Sequence, residues 1–155
     1  MFALRRLIIK FKMRKFKYCH EIEKLEQVGI NLPDLKEPNT KESYRFIFSE
    51  GTDRNHLPAY KLQPNRMSQE IKKGKATTNG YSLSNFETIE QAECRYEYLR
   101  KVCKNIKLSI GDTLSGGFIE NDDGMITETN GVGHFELYEY DSCDLNQKFH
   151  VIKGL

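Results

Sequence analysis

The sequence predicts an α+β fold: one long helix packed on a mostly antiparallel, curved sheet, preceded by a basic N-terminal arm. Three observations carry this expectation. A helical stretch with a start signal occupies the middle of the chain. A run of alternating segments separated by Asp123-Gly124 and Asn130-Gly131 turn signals fills the end. Seven cations and no acid lie in residues 1–20. With 155 residues, the chain suits one domain of common size. The expected organisation is an arm over 1–18 and a single α+β domain over 19–155.

The elements follow in order. In the arm, Ile9, Phe11 and Met13 alternate with Lys10, Lys12 and Arg14 as in a strand, while Leu4, Leu7 and Phe11 also fit one side of a helix. Met13 offers a second possible start. Ile22, Leu25 and Val28 predict a helix over 20–28, with Gly29 as its stop. All four prolines, Pro33, Pro38, Pro58 and Pro64, mark a loop-rich region that one aromatic and β-branched strand, 43–49, interrupts. The long loop over 50–66 is a candidate functional segment. A short helix over 68–73 ends at Gly74. Tyr81 to Ser84 reads as a strand, and Ser84-Asn-Phe-Glu87 matches a capping box for a helix over 86–104. Its core face would carry Ile89, Tyr96 and Leu99. Ile106, Leu108 and Ile110 then alternate. Strands follow over 114–120, 125–127, 134–140 and 149–152, with Gly116-Gly117 marking a bulge or a close backbone approach.

Composition narrows the classes. No apolar run nears the roughly 18 residues of a membrane helix, and Leu7-Ile8-Ile9 is too short for a signal peptide. A cytoplasmic location is the expectation. Beyond the arm, 17 basic residues face 22 acidic ones. A basic arm on an acidic body suits an anionic surface, nucleic acid, or the body's own acids, through residues 1–20. Cys19, Cys94, Cys103 and Cys143 show no zinc spacing. On one helix Cys94 and Cys103 would stand about 13 Å apart along the axis, beyond disulfide reach, so reduced buried thiols are expected. No metal is expected: His56, His134 and His150 share no ligand spacing.

The strand 134–140 carries the densest chemistry. Alternation sets His134, Glu136, Tyr138 and Tyr140 on one face, and Phe135, Leu137 and Glu139 on the other. The first face holds a general-base candidate, a carboxylate and two phenols; the plainer expectation is that it is the wet face of an antiparallel sheet. Lys61, Arg66, Lys72, Lys73 and Lys75 beside Tyr60 form a second basic zone able to hold a nucleic-acid strand or a dinucleotide.

The order of Arg45 on an early strand, Tyr81-Ser82-Leu83-Ser84 leading into a helix, and Glu136 and Glu139 on a late strand resembles the Arg, Ser-x-Ser, Glu arrangement of ADP-ribosyltransferases. The resemblance implies that Arg45 holds the NAD phosphates and that Ser82 and Ser84 support the site. Glu136 or Glu139 would stabilise the oxocarbenium-like ribose as nicotinamide leaves, and Tyr81 would stack on nicotinamide. The middle motif is Ser-Leu-Ser where the family has Ser-Thr-Ser, and the glutamates stand three apart, not two.

The residues taken alone name no reaction. They describe a small intracellular domain that binds a protein partner or small ligand through its terminal sheet and the region 50–75, without a cofactor. Two enzyme readings stand beside it: an ADP-ribosyltransferase-like enzyme using NAD, and a small ribonuclease with His134 and Glu136 as acid and base and a basic loop residue as phosphate clamp. A transferase requires Arg45 and a glutamate converging on a cleft between two small sheets. A ribonuclease requires His134 and Glu136 in an exposed basic groove.

Overall fold

The computed structural model describes residues 14–49 and 53–155. The fold is α+β. Six strands form one antiparallel sheet: β1 (Lys41–Ile47), β2 (Leu83–Phe86), β3 (Thr113–Ile119), β4 (Gly124–Ile126), β5 (His134–Glu139) and β6 (His150–Gly154), in the order β4-β5-β2-β1-β3-β6. The helices are α1 (Cys19–Gln27), α2 (Ala59–Leu62), α3 (Pro64–Lys72), α4 (Ile89–Val102), α5 (Ile106–Ser109) and α6 (Leu145–Lys148), with a 3₁₀ turn over Thr78–Tyr81.

Pairing along the sheet is uneven. β1 and β3 pair along seven residues, from Lys41↔Ile119 to Ile47↔Thr113, and β2 and β5 along four. Between these halves, β1 and β2 pair only at Tyr44↔Phe86. The sheet is thus two three-stranded halves, β4-β5-β2 and β1-β3-β6, that part beyond one residue pair.

The expected long helix, 86–104, is the shorter α4. Ser84 and Phe86 belong to β2, and the cap lies four residues beyond the expected one. Thr88 is the N-cap, its hydroxyl accepting from the Gln91 amide at 3.1 Å. Thr88-Ile-Glu-Gln91 is itself a capping-box sequence. Ala92 and Tyr96 are the buried residues of α4, packing with Phe46, Phe86 and Leu114, while Ile89 and Leu99 are only half-buried. The Tyr96 hydroxyl donates to the Gly111 carbonyl at 2.9 Å.

Other expectations are corrected. Residues 106–110 are not a strand: Asn105, at φ 58°, reverses the chain into the single turn of α5, where Ile106 is buried and Leu108 exposed. Tyr81 ends the 3₁₀ turn, and the strand begins two residues later. Cys94 and Cys103 are exposed, not buried: Cys94 stands on the side of α4 opposite Ala92 and Tyr96, and Cys103 caps the end of the helix; Cys19 is half-buried and Cys143 buried. Gly117 is a close approach, since a Cβ there would meet Phe149 Cδ1 at 2.7 Å and the Lys148 carbonyl at 2.8 Å.

The face of β5 expected to be wet is buried. α1 covers it through Ile22 and Leu25, which cluster with Tyr60, Tyr81 and Tyr138 and with the ring of Phe16. The other face, Phe135 and Leu137, packs with Leu83, Ile119, Ile126 and Leu145. Both faces of the strand are therefore core.

The expected strand or helix over Leu4 to Met13 lies outside the described residues. The described end of the arm is bound to the body. Phe16 bridges Tyr140, the Lys17 amide donates to the Glu139 carbonyl at 2.8 Å, and Arg14 pairs with Asp122. These last arm cations therefore meet acids of the same chain. No helix among the described residues is long and apolar enough to cross a membrane.

Tyr96→Ala should cost about 3 to 5 kcal/mol, as for other buried aromatic truncations, and Leu99→Ala, half-buried, clearly less. Urea melts of both variants check the order; equal losses would show that α4 packs through a different face.

Candidate functional site

The parting of β1 and β2 creates the site. Past Tyr44↔Phe86 the Ser84 carbonyl is not held by a β1 amide. The Arg45 guanidinium takes it instead, donating through Nη1. Arg45 Nε donates to His56 Nδ1 at 3.2 Å. Arg45 is 7% exposed, and burial lowers its pKa to about 10, against the opposing pull of Glu139 and Glu136. It therefore stays charged near neutral pH.

A cavity of about 250 Å³ opens at this gap. Arg45 and Phe46 both line it, as do Leu83 and Ser84. Neighbours in a strand point to opposite faces, so a space that touches both lies where the sheet is open. Its other walls come from the region after β1, including Arg54, Asn55, His56 and Arg66. Arg45, Arg54 and Arg66 line it with no carboxylate among the lining residues, so the cavity is cationic and suited to an anion.

Behind the cavity, the two serines meet Glu136. Ser82 Oγ donates to Glu136 Oε2 at 2.6 Å and lies 2.9 Å from the Asn79 carbonyl; Ser84 Oγ donates to Glu136 Oε1 at 3.2 Å. The pairing Ser84↔Glu136 between β2 and β5 brings these groups together. His134, two residues away on the same face, sets Nε2 3.2 Å from Glu136 Oε1 and its ring edge-on to Phe86. Glu136 is 8% exposed. Arg45, Ser82, Ser84, His134 and Glu136, spread over 92 positions of sequence, thus form one connected cluster.

Glu139 and Tyr81 stand apart from that cluster. Glu139 accepts from Lys17 Nζ at 2.7 Å, and Lys17 also donates to the Cys143 carbonyl at 2.6 Å. Glu139 acts on Arg45 through its charge, but its hydrogen-bond partner is the cation of the arm. Its Oε1 is buried without a partner among the described residues. Burial pushes its carboxyl above the usual carboxylate range, although Lys17 and Arg45 oppose this. Tyr81 is outside the cavity lining: its ring meets Tyr60 edge-on at 5.3 Å, and its hydroxyl donates to Met67 Sδ at 3.0 Å. Core packing claims the ring that the resemblance assigns to nicotinamide.

Of the second basic zone, Arg66 reaches the cavity while pairing with Glu70 at 2.7 Å, and Lys61 pairs with Glu21 at 2.9 Å. His56 is the residue that sequence reasoning did not connect to Arg45; the one available signal was its place in the long loop. No protein-family model matches the chain, and comparison with curated proteins and with solved structures finds no match.

The Glu139 carboxyl gives a pH dependence of definite sign. A carboxyl raised in the folded state holds its proton where the unfolded chain has lost it, so its contribution is full at low pH and is lost as pH rises through the raised value. Glu139→Gln should therefore flatten the decline in melting temperature as pH rises above the ordinary carboxylate range. Lys17→Met, which removes the opposing cation, should steepen it. Identical pH profiles for wild type and Glu139→Gln would contradict this.

Proposed function

We propose that the chain is an ADP-ribosyltransferase-like enzyme that uses NAD as a substrate. One observation carries the reading: the arginine and the two serines of the resemblance line a cationic cavity in the gap between two half-sheets, and both serines hold a glutamate just behind it. They come from three strands distant in sequence, and their convergence is independent of the spacing that suggested the resemblance.

In this reading Arg45, which lines the cavity, holds the diphosphate through the donors that His56 and Ser84 leave free. Arg54 and Arg66, both exposed, stand at the rim, Arg66 paired with Glu70 and Arg54 donating to the Leu108 carbonyl. The volume of about 250 Å³ is below the roughly 300 to 1,000 Å³ of pockets that enclose a drug-sized ligand. A dinucleotide would thus lie partly along the rim. The bond broken joins nicotinamide to the ribose C1′. Its electron pair leaves with nicotinamide, and the positive charge left on the ribose is opposed by Glu136. The Ser82 and Ser84 hydroxyls fix that carboxylate in orientation, so no reorganisation is needed as the charge develops. C1′ then bonds to an acceptor nucleophile, which loses a proton. Tyr81 takes no part, and Glu139 serves the arm rather than the reaction.

The ribonuclease reading is less well supported. It needs His134 in an exposed basic groove, and the arginines line a cavity that His134 does not. The plain binding-module reading leaves the serine-glutamate cluster without a role.

Incubation with NAD and candidate acceptor proteins should release nicotinamide. Glu136→Gln should lower the rate by about a hundred- to a thousandfold while remaining folded, the usual scale for removing a preorganised electrostatic group. Glu139→Gln should stay within about tenfold of wild type, since a loss of about 1.4 kcal/mol or less would reflect altered packing alone. Absence of nicotinamide release, or a Glu136→Gln variant as active as wild type, would overturn the proposal.

A further inference from the structure

We propose that His56 is a positioning residue for the site: its neutral imidazole accepts the Arg45 Nε–H and turns the outer edge of the guanidinium toward an anion in the cavity. The anion is identified by its chemistry as a diphosphate, and this assignment rests on the dinucleotide reading above.

His56 sits at φ 58°, a left-handed conformation uncommon outside glycine but one in which histidine and asparagine are enriched. The preceding residue fixes that conformation. Asn55 accepts from the Phe48 amide through Oδ1 at 2.8 Å and donates to the Phe48 carbonyl through Nδ2 at 3.2 Å. This two-point clamp ties the segment to the chain just past β1. The left-handed turn then sends the imidazole inward, edge-on to Phe149 at 5.6 Å and within reach of Arg45.

The direction of the bond sets the chemistry. Arg45 Nε can only donate, so Nδ1 must carry a lone pair and any ring proton must sit on Nε2. Burial, with the charges of Arg45 and Lys17, lowers the His56 pKa to about 3, so the ring is neutral at working pH. A lysine or arginine in its place would repel Arg45, and an apolar residue would leave Nε–H buried without a partner. With Nε held by His56 and Nη1 by Ser84, the guanidinium plane is fixed at two points. Among the described residues Nη2 has no hydrogen-bond partner, and Arg45 lines the cavity. A rigid fork with a free edge is the arrangement that binds phosphate oxygens with geometric selectivity.

The test measures ADP and inorganic pyrophosphate binding by calorimetry, alongside nicotinamide release from NAD. His56→Phe keeps a ring against Phe149 and removes the acceptor. His56→Asn keeps an acceptor and tolerates the left-handed backbone. His56→Phe should weaken ADP binding by about tenfold or more, the equivalent of one charge-assisted hydrogen bond. His56→Asn should stay within about threefold of wild type. In turnover, the loss in His56→Phe should fall mainly on KM for NAD rather than on kcat. If His56→Phe does not fold, His56→Gly, which carries no backbone penalty at this φ, takes its place with the same expectation. Unchanged ADP affinity in the variant lacking the acceptor, or an equal loss in His56→Asn, would overturn the role of His56. Wild-type protein that binds neither ADP nor pyrophosphate would overturn the anion site itself. Binding of ADP with the expected histidine dependence, but without nicotinamide release, would sink the transferase reading and leave this one standing.

Discussion

The structure turns on one buried cation. Arg45 leaves β1 where the sheet stops being a sheet, and its guanidinium takes the Ser84 carbonyl that a neighbouring strand would otherwise hold. The arginine thus supplies a donor to that carbonyl where the pairing of β1 with β2 ends. The same side chain lines the opening. Its charge is kept inside the protein by hydrogen bonds to the Ser84 carbonyl and His56 and by the fields of two glutamates.

Those glutamates divide the work. Glu136 is bound into the serine cluster of β2, and Glu139 is neutralised by Lys17, which the last turn of the N-terminal segment carries onto β5. Their separation follows from the strand. At a spacing of three, alternation sends the carboxylates different ways, and each meets a different partner. Had both faced the serines, their mutual repulsion would have raised one of them further.

Much of the fold was readable because buried strands and turns leave strong local patterns. The strands around Phe46, Leu114, Phe135 and Val151 and the stops at Gly29 and Gly74 follow from side-chain alternation and backbone freedom. Misreadings arose where two local signals competed. Ser84-x-x-Glu87 and Thr88-x-x-Gln91 both fit a capping box, and only tertiary pairing of β2 with β5 decides between them. The alternation at Ile106 to Ile110 was outweighed by a left-handed Asn105. Of the site, Arg45, Ser82, Ser84 and Glu136 could be named from their order along the chain. His56 could not, because its link to Arg45 depends on a loop clamp at Asn55 that leaves no periodic trace. The packing of Tyr81 on Tyr60 was not legible either, because an aromatic beside a serine motif looks the same in sequence whatever its ring meets.

The central claim is that the gap between β1 and β2, framed by Arg45, is where an NAD molecule binds. Titrating ¹⁵N-labelled protein with NAD and following the backbone amide resonances tests it most directly. The account predicts saturable shifts concentrated at Arg54 to Leu57 and Ser82 to Ser84, with the exposed outer strand β6 unmoved. Saturable shifts confined to another face, or none at millimolar NAD, would contradict it.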